Sequence, residues 1–183
     1  AGITLEDQLW PKGCGHMEGK SVIPMDEHVE KLKAAVYARG DGDLVVIART
    51  DARAPLGLEE AIRRGHAYVS AGADVLFIEA PQSIEELNTI AASFDVPLLA
   101  NMIEGGKTPF LSATELEQIG FKIALYPLSS LFAAARAVQD VARHLRPTGS
   151  PSGFDRMAAF HEFEEIIELE RFREIENRFA ETG

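Results

Sequence analysis

Cys14 lies in Lys12-Gly13-Cys14-Gly15-His16, between two glycines and within two residues of a lysine and a histidine. The glycines free the backbone and leave the thiol accessible, and the neighbouring positive charge favours the thiolate. Such a thiol can donate or accept a proton, or attack an electrophile. The alternative is a small residue that simply fits a loop. Glu6-Asp7, Arg49, Glu79 and Asn101 share a different property, since each closes a short apolar run. Two adjacent acids at a strand end can hold Mg²⁺ directly or through its waters, or they can cap and ion-pair. The planar fork of Arg49 matches a carboxylate or phosphate bidentately. It can equally pair with Asp51, Glu79 or Glu6, and the two roles can coexist. Glu79 follows Val75-Leu76-Phe77-Ile78, where an unpaired carboxylate is costly, so a cation, a water or a metal must satisfy it. Asn101 offers a donor and an acceptor. Glu104, Gly105, Gly106 and Thr108 follow it and can hold a second anionic group or merely shape a turn. Ser129 is a further candidate, or an ordinary helix N-cap.

These residues need elements that bring them together. The runs Ile3–Asp7, Leu44–Arg49, Val75–Glu79, Val96–Asn101 and Ile123–Tyr126 read as strands. Continuous apolar runs separated by helical segments imply parallel strands buried on both faces. Parallel α/β folds place their chemistry at the carboxyl ends of the strands, so Glu6, Asp7, Arg49, Glu79 and Asn101 are expected on one rim. Helices are expected over Asp26–Arg39, Leu58–Ala71 and Ser129–His144, with Ser83 and Glu86 forming a capping box and Ser112 capping a short helix. Trp10–Ser21 reads as a Gly-rich functional loop with Trp10 as a lid anchor or a core residue, and Thr50–Gly57 as a loop with a solvated Arg53. His28, His66, His144 and His161 fall on helices as surface or packing residues. The expected division is a partial barrel domain over 1–146, a Pro/Gly/Ser linker over 147–153, and a C-terminal helical segment over 154–183. That last segment is one long amphipathic helix or a pair. With five countable strands, the sheet is either open and doubly wound or the later part of a (β/α)₈ barrel.

The 183 residues suffice for one domain, and a hydrophobic content of 46% supports a sizeable core. A net charge of −11 argues against nucleic acid or an anionic membrane as partner. The excess acid is concentrated near the C-terminus, where Glu162–Glu181 holds eight Glu against three Arg. One cysteine excludes an internal disulfide and fits a reducing, cytoplasmic setting. No apolar stretch approaches the ~20 residues of a membrane span. No P-loop, dinucleotide fingerprint or zinc spacing appears. Ala1-Gly2 leads straight into a strand, so the chain reads as starting in the middle of a fold.

Several stretches together resemble the isocitrate lyase/phosphoenolpyruvate mutase superfamily. They are Leu5-Glu6-Asp7-Gln8, Pro11-Lys12-Gly13-Cys14-Gly15-His16, Ile47-Ala48-Arg49-Thr50-Asp51-Ala52, Ile78-Glu79-Ala80-Pro81, Asn101 through Pro109, and Tyr126-Pro127-Leu128-Ser129. The resemblance implies a (β/α)₈ barrel represented here by strands 4–8. It also implies Mg²⁺ as cofactor and C-terminal helices exchanged between subunits of a homo-oligomer, usually a tetramer. The nearest look is to the methylisocitrate lyase branch of carbon–carbon lyases. By that likeness Cys14 is the proton donor to a leaving carbanion, and Lys12 and His16 are lid residues of the active site. Glu6 and Glu79 are metal-shell or substrate-polarising groups of the catalytic site, Glu6 reaching the metal through water. Arg49, Glu79, Asn101, Thr108 and Ser129 bind a small di- or tricarboxylate of the 2-methylisocitrate, 2-alkylmalate or oxaloacetate type. Gly13 stands where the family usually has a basic residue, so one positive charge beside the thiol is missing. The family's first three strands carry its Mg²⁺-chelating aspartates and have no counterpart here, so this chain by itself is expected to be inactive or weakly active. The alternatives are a phosphonomutase acting on phosphoenolpyruvate or its carboxyphosphono analogue, and a half-barrel remnant that only oligomerises.

Overall fold

Strand β1 (Gly2–Glu6) pairs in parallel with β2 (Val45–Thr50), Gly2 lying opposite Val45 and Glu6 opposite Arg49. Strand β3 (Val75–Ile78) lies parallel on the other side of β2, with Ile47 opposite Val75 and Thr50 opposite Ile78. A parallel bridge between Leu76 and Leu98 joins β3 to the next segment, and β4 (Leu99–Asn101) pairs in parallel with β5 (Ile123–Leu125). The computed structural model describes residues 1–13 and 19–180.

Neighbours in the sheet are therefore neighbours in sequence, β1-β2-β3 and then β4-β5. A doubly wound sheet reverses its strand order at a switch point, whereas a (β/α)₈ barrel adds each strand beside the last. The sequential order answers the alternative that the strand count leaves open, in favour of the barrel arrangement. The crossovers carry α1 (Met25–Arg39), α2 (Arg53–Leu56) and α3 (Leu58–Ser70), α4 (Ile84–Ser93), and α5 (Ala113–Ile119).

Side-chain alternation divides the apolar residues between the two sheet faces. Leu76 and Ile78 join the main core, with Leu32 of α1, Tyr68 of α3, Leu87 and Ile90 of α4, and Leu116 of α5. Val75 and Phe77 point the other way and pack with Leu99. Strands β3 and β4 are buried throughout, as continuous apolar runs require. Strands β1 and β5 are not, with Ile3, Ile123 and Leu125 exposed. They stand at the two ends of the strand order, and each has a partner strand on one side among the described residues.

Three local details differ from the sequence reading. Residues 53–56 form the single turn α2, because Arg53 is not solvated but forks onto Glu86, its Nε 2.8 Å from Oε2. Ser83 does cap α4, accepting from the Glu86 N–H at 3.1 Å, yet Glu86 turns its carboxylate to Arg53 and the Gln82 N–H. The reciprocal box forms instead at α5, where Ser112 accepts from Glu115 N–H and Glu115 accepts from Ser112 N–H. Trp10 is 81% exposed, so it is not a core residue of this chain.

The chain divides into two compact units, Ala1–Leu131 and Phe132–Gly183. Helix α6 (Ser129–Thr148) begins in the first unit and runs into the second, with Pro147 in its last turn. The second unit also holds α7 (Phe160–Ile166) and α8 (Leu169–Phe179), so the terminal segment is a pair of helices. Glu168 between them is left-handed, at φ 52°. Phe160, Phe163, Ile166, Phe172, Ile175 and Phe179 are all exposed. Among the described residues no helix is long and apolar enough to cross a membrane.

Candidate active site

Parallel register lines up the carboxyl ends of β1, β2, β3 and β4, and the polar residues there meet around Arg49. Glu6 is the direct cross-strand partner of Arg49. Its carboxylate lies 3.5 Å from Arg49 Nε and 2.7 Å from Lys12 Nζ. Arg49 Nη2 reaches Glu79 at 3.4 Å, and Asn101 Nδ2 donates to the same Glu79 at 3.2 Å. Glu79 is buried, as the apolar run before it requires, and Arg49 and Asn101 are among its partners. The Arg49 guanidinium also lies 4.9 Å from the centre of the Phe77 ring. Glu6, Arg49, Glu79 and Asn101 thus converge as the strand pattern predicts.

The closest partner of Arg49 is Asp51, which accepts from Nε at 2.9 Å and Nη2 at 3.1 Å. Asp51 is fully buried and also receives Gln8 Nε2 at 3.3 Å and Lys20 Nζ at 3.6 Å. Burial alone would lower the pKa of Arg49, but the Asp51, Glu79 and Glu6 carboxylates outweigh it and hold the pKa above its ordinary value. Arg49 is therefore a fixed cation whose Nε and Nη2 are committed to carboxylates. Glu6, Asp51 and Glu79 are balanced in charge by Arg49, Lys12 and Lys20. Sequence reasoning assigned no site role to Gln8, Asp51 or Lys20. The first two stand inside the motif stretches quoted above, so the signal was present; Lys20 carries none beyond its place after Gly19.

The loop after β4 supplies a second group of polar atoms. Asn101 Oδ1, Glu104 Oε2 and Thr108 Oγ1 are buried and make no hydrogen bond among the described residues. Buried polar atoms in native proteins are nearly always paired, so unpaired ones on a strand-end rim mark a place where a ligand or water completes the bonding. Ser129, at the start of α6, donates through Oγ to Glu104. Ser129 therefore reaches the rim through Glu104.

Asp7 departs from expectation. As the neighbour of Glu6 it points to the opposite side of β1, fully buried, where it accepts from Arg64, Tyr68, Thr50 and the Asp51 N–H. It is not a metal-facing acid. Glu6 is tied to Lys12 and Arg49, and no three His, Cys, Asp or Glu side chains among the described residues gather into a set able to hold a metal ion. The described residues do not fit a divalent cation as direct ligands. Lys12 lies on the rim, and Gly13 N–H donates to Gln8. Cys14 and His16 lie outside the described residues.

A parallel, sequentially ordered α/β sheet with an arginine held among acids at its strand ends defines a barrel-type protein. The model of the phosphoenolpyruvate phosphomutase family matches residues 1–146, and the chain belongs to that family, within the isocitrate lyase/phosphoenolpyruvate mutase superfamily. It is 48% identical over 179 residues to the petal death protein of Dianthus caryophyllus, with 97% of this chain and 56% of that protein covered. Identity to 2,3-dimethylmalate lyase of Eubacterium barkeri is 45% over 184 residues, covering 100% and 63%. It is also 45% over 184 residues to the chloroplastic carboxyvinyl-carboxyphosphonate phosphorylmutase of Arabidopsis thaliana, covering 98% and 54%. Among solved structures, the trigonal form of 2,3-dimethylmalate lyase superposes with TM-score 0.92 at 35% identity, covering 98% of this chain and 60% of that one. Oxaloacetate acetylhydrolase with 3,3-difluorooxalacetate superposes with TM-score 0.90 at 35% identity, covering 96% and 60%. Phosphonopyruvate hydrolase in complex with oxalate and Mg⁺⁺ superposes with TM-score 0.80 at 31% identity, covering 98% and 63%. The chain spans 54 to 63% of the length of these curated relatives.

Proposed function

We propose that the protein carrying this chain is a carbon–carbon lyase that cleaves a small 2-hydroxy or 2-oxo di- or tricarboxylate. The observation that supports this best is the Arg49 fork, fixed by Asp51 and Glu79, with Asn101 bonded to the same Glu79 and its Oδ1 left without a partner among the described residues. Arg49 takes one substrate carboxylate, and Asn101 and Thr108 take a second. Base removal of a hydroxyl proton, from the 2-hydroxy acid itself or from the gem-diol formed when water adds to a 2-oxo acid, makes that oxygen a carbonyl. The adjacent C–C bond breaks, and its electron pair passes to the departing fragment as an enolate. Cys14 then protonates that fragment, with Lys12 and His16 holding the thiol's surroundings. Mg²⁺ is the proposed cofactor, and it supplies charge stabilisation at an oxyanion when bound. Its direct ligands are not found among the described residues, and Glu6 reaches it through water at most. The single cysteine suits a reducing cytoplasmic location.

The test is turnover of 2-methylisocitrate, 2,3-dimethylmalate and oxaloacetate with Mg²⁺, in the unaltered protein and in Cys14→Ser. C–C cleavage is expected to fall by about 10²–10⁴-fold in the variant, the range for a lost general acid. Retention of full cleavage would remove Cys14 from the chemistry. A second reading is phosphonate chemistry, favoured by the family model and by the likeness to the phosphorylmutase. It predicts P–C turnover that is insensitive to Cys14→Ser. We also propose that the exposed Phe-rich helices α7 and α8 carry homo-oligomerisation, since so large an apolar face is unfavourable in water.

A further inference from the structure

We propose that Asp7 is a positioning residue, held by Arg64 and Tyr68, that aligns the Arg49 guanidinium through Asp51. Asp7 clamps the end of β2 at three points. Its own N–H donates to the Arg49 carbonyl at 3.2 Å. Its Oδ1 accepts from the Asp51 N–H at 2.9 Å, and its Oδ2 from the Thr50 hydroxyl at 2.7 Å. Asp51 in turn receives Arg49 through two near-parallel hydrogen bonds. The backbone of residues 49–51 is thus set from one side by Asp7, and the guanidinium is set by the residue at its far end.

The clamp is itself braced. Oδ2 also accepts from Arg64 Nη1 at 2.9 Å and from the Tyr68 hydroxyl at 2.7 Å. Arg64 is held in turn by Glu60 at 2.9 Å and by the Ile23 carbonyl at 2.9 Å. Asp7, Thr50, Asp51 and Tyr68 are fully buried, and Arg64 is buried as well. The line from α3 to Arg49 therefore contains no solvated link that could absorb a displacement. Burial together with the Asp7 charge pushes the Tyr68 hydroxyl pKa up, which keeps it a donor. An asparagine at position 7 cannot reproduce the set. A carboxylate accepts on both oxygens, whereas an amide must turn a donor toward either the Asp51 N–H or the donors on Oδ2.

The importance of this alignment for anion binding rests on the proposed role of Arg49, but the alignment can be read without it. Isotope-labelled arginine in the 183-residue chain reports solvent exchange of the Arg49 Nε–H by nuclear magnetic resonance. Asp7→Asn is expected to speed that exchange by at least about tenfold, the scale of one lost charge-assisted hydrogen bond. Tyr68→Phe removes one donor from Asp7, keeps the ring, and is expected to speed exchange by about threefold. Arg39→Ala breaks the remote pair with Asp74 at the other end of β2. It is a control for general destabilisation and should leave Arg49 Nε–H exchange unchanged. Exchange within about twofold of the unaltered chain in Asp7→Asn, or equal acceleration in Arg39→Ala, overturns the proposal. If Asp7→Asn does not fold, unchanged exchange in Tyr68→Phe overturns it. Calorimetric titration with oxalate is a separate arm. If the unaltered chain binds no oxalate, the anion role of Arg49 falls, while the exchange result still decides the role of Asp7.

Discussion

Arg49 shows why a residue type matters more than its charge. Its Nε and Nη2 are occupied by Asp51 and Glu79, and the flat guanidinium also lies over Phe77. A lysine would keep the charge but could not hold Asp51 by two parallel bonds while facing a ligand. Arg49→Lys is therefore expected to lower kcat/KM for the proposed dicarboxylate by about 10–100-fold, equivalent to ~1.5–3 kcal/mol. Steady-state kinetics checks this, with circular dichroism to confirm the fold. Glu79 is the second case at this scale. It is buried beside Arg49 and Asn101, so Glu79→Ala should leave Arg49 with one carboxylate fewer and weaken substrate binding. Arg49 and Glu79 were legible from type and place alone, an arginine and a glutamate each closing an apolar run. Asp51 was legible as a possible partner of Arg49, but its burial and its Lys20 and Gln8 contacts were not, because they come from segments distant in sequence.

At the scale of elements, α3 is set against β3 by Gly65. A Cβ there would stand 2.6 Å from Phe94 Cζ and 2.8 Å from Leu76 Cδ2. Alanine gains ~1 kcal/mol of helix propensity, but overpacking costs about 1–3 kcal/mol. Leu76 is fully buried and cannot yield easily, so Gly65→Ala is expected to be net destabilising in denaturant titration. At α5 the two-way bonding of Ser112 and Glu115 satisfies two otherwise unpaired N–H groups. Ser112→Ala should cost about 1 kcal/mol by the same measurement. Ser83→Ala should cost less than the removal of a full box, because Glu86 serves Arg53 and Gln82 instead. The sequence pattern of a serine three residues before a glutamate is the same at both sites. What differs is whether an arginine stands within reach of the glutamate, and only the tertiary fold, which brings Arg53 to Glu86, determines that.

At the scale of the whole molecule, one buried histidine links stability to pH. His28 is fully buried, and its ring meets Tyr68 edge-on at 4.6 Å. Burial lowers its pKa from the ordinary 6.5, an effect opposed by Asp7 and the Leu5 backbone and reinforced by Lys31 and Arg64. The unfolded chain then binds the proton more readily than the folded one. Stability is fully present above pH ~6.5 and is lost as pH falls below it toward the folded-state pKa. His28→Leu should flatten the pH dependence of the melting temperature between pH ~6.5 and ~4.5, above the carboxylate range. An unaltered slope in that window would show that His28 does not govern it. The exposed aromatic face of α7 and α8 predicts a second whole-molecule property. Phe163→Ser together with Phe172→Ser should lower the association state seen by sedimentation, with the first unit's fold retained.

Composition and pattern determined much of this protein by themselves. Apolar runs of strand length, spaced by helical segments, require a parallel α/β sheet, and polar residues closing those runs must then lie at one rim. This follows because strand direction and side-chain alternation are local properties of the chain. The split between Glu6 and Asp7 runs against the expectation of one shared rim, since Asp7, just past the end of β1, turns into the core. The environment waiting on each face was not implicit. Tertiary structure alone placed Arg64 and Tyr68 behind Asp7, made it a buried counter-ion, and left Glu6 on the rim. It likewise set the strand order that separates a barrel arrangement from a doubly wound sheet. Both outcomes depend on contacts between segments tens of residues apart, where the free energy lies in pairing and burial that no local pattern encodes.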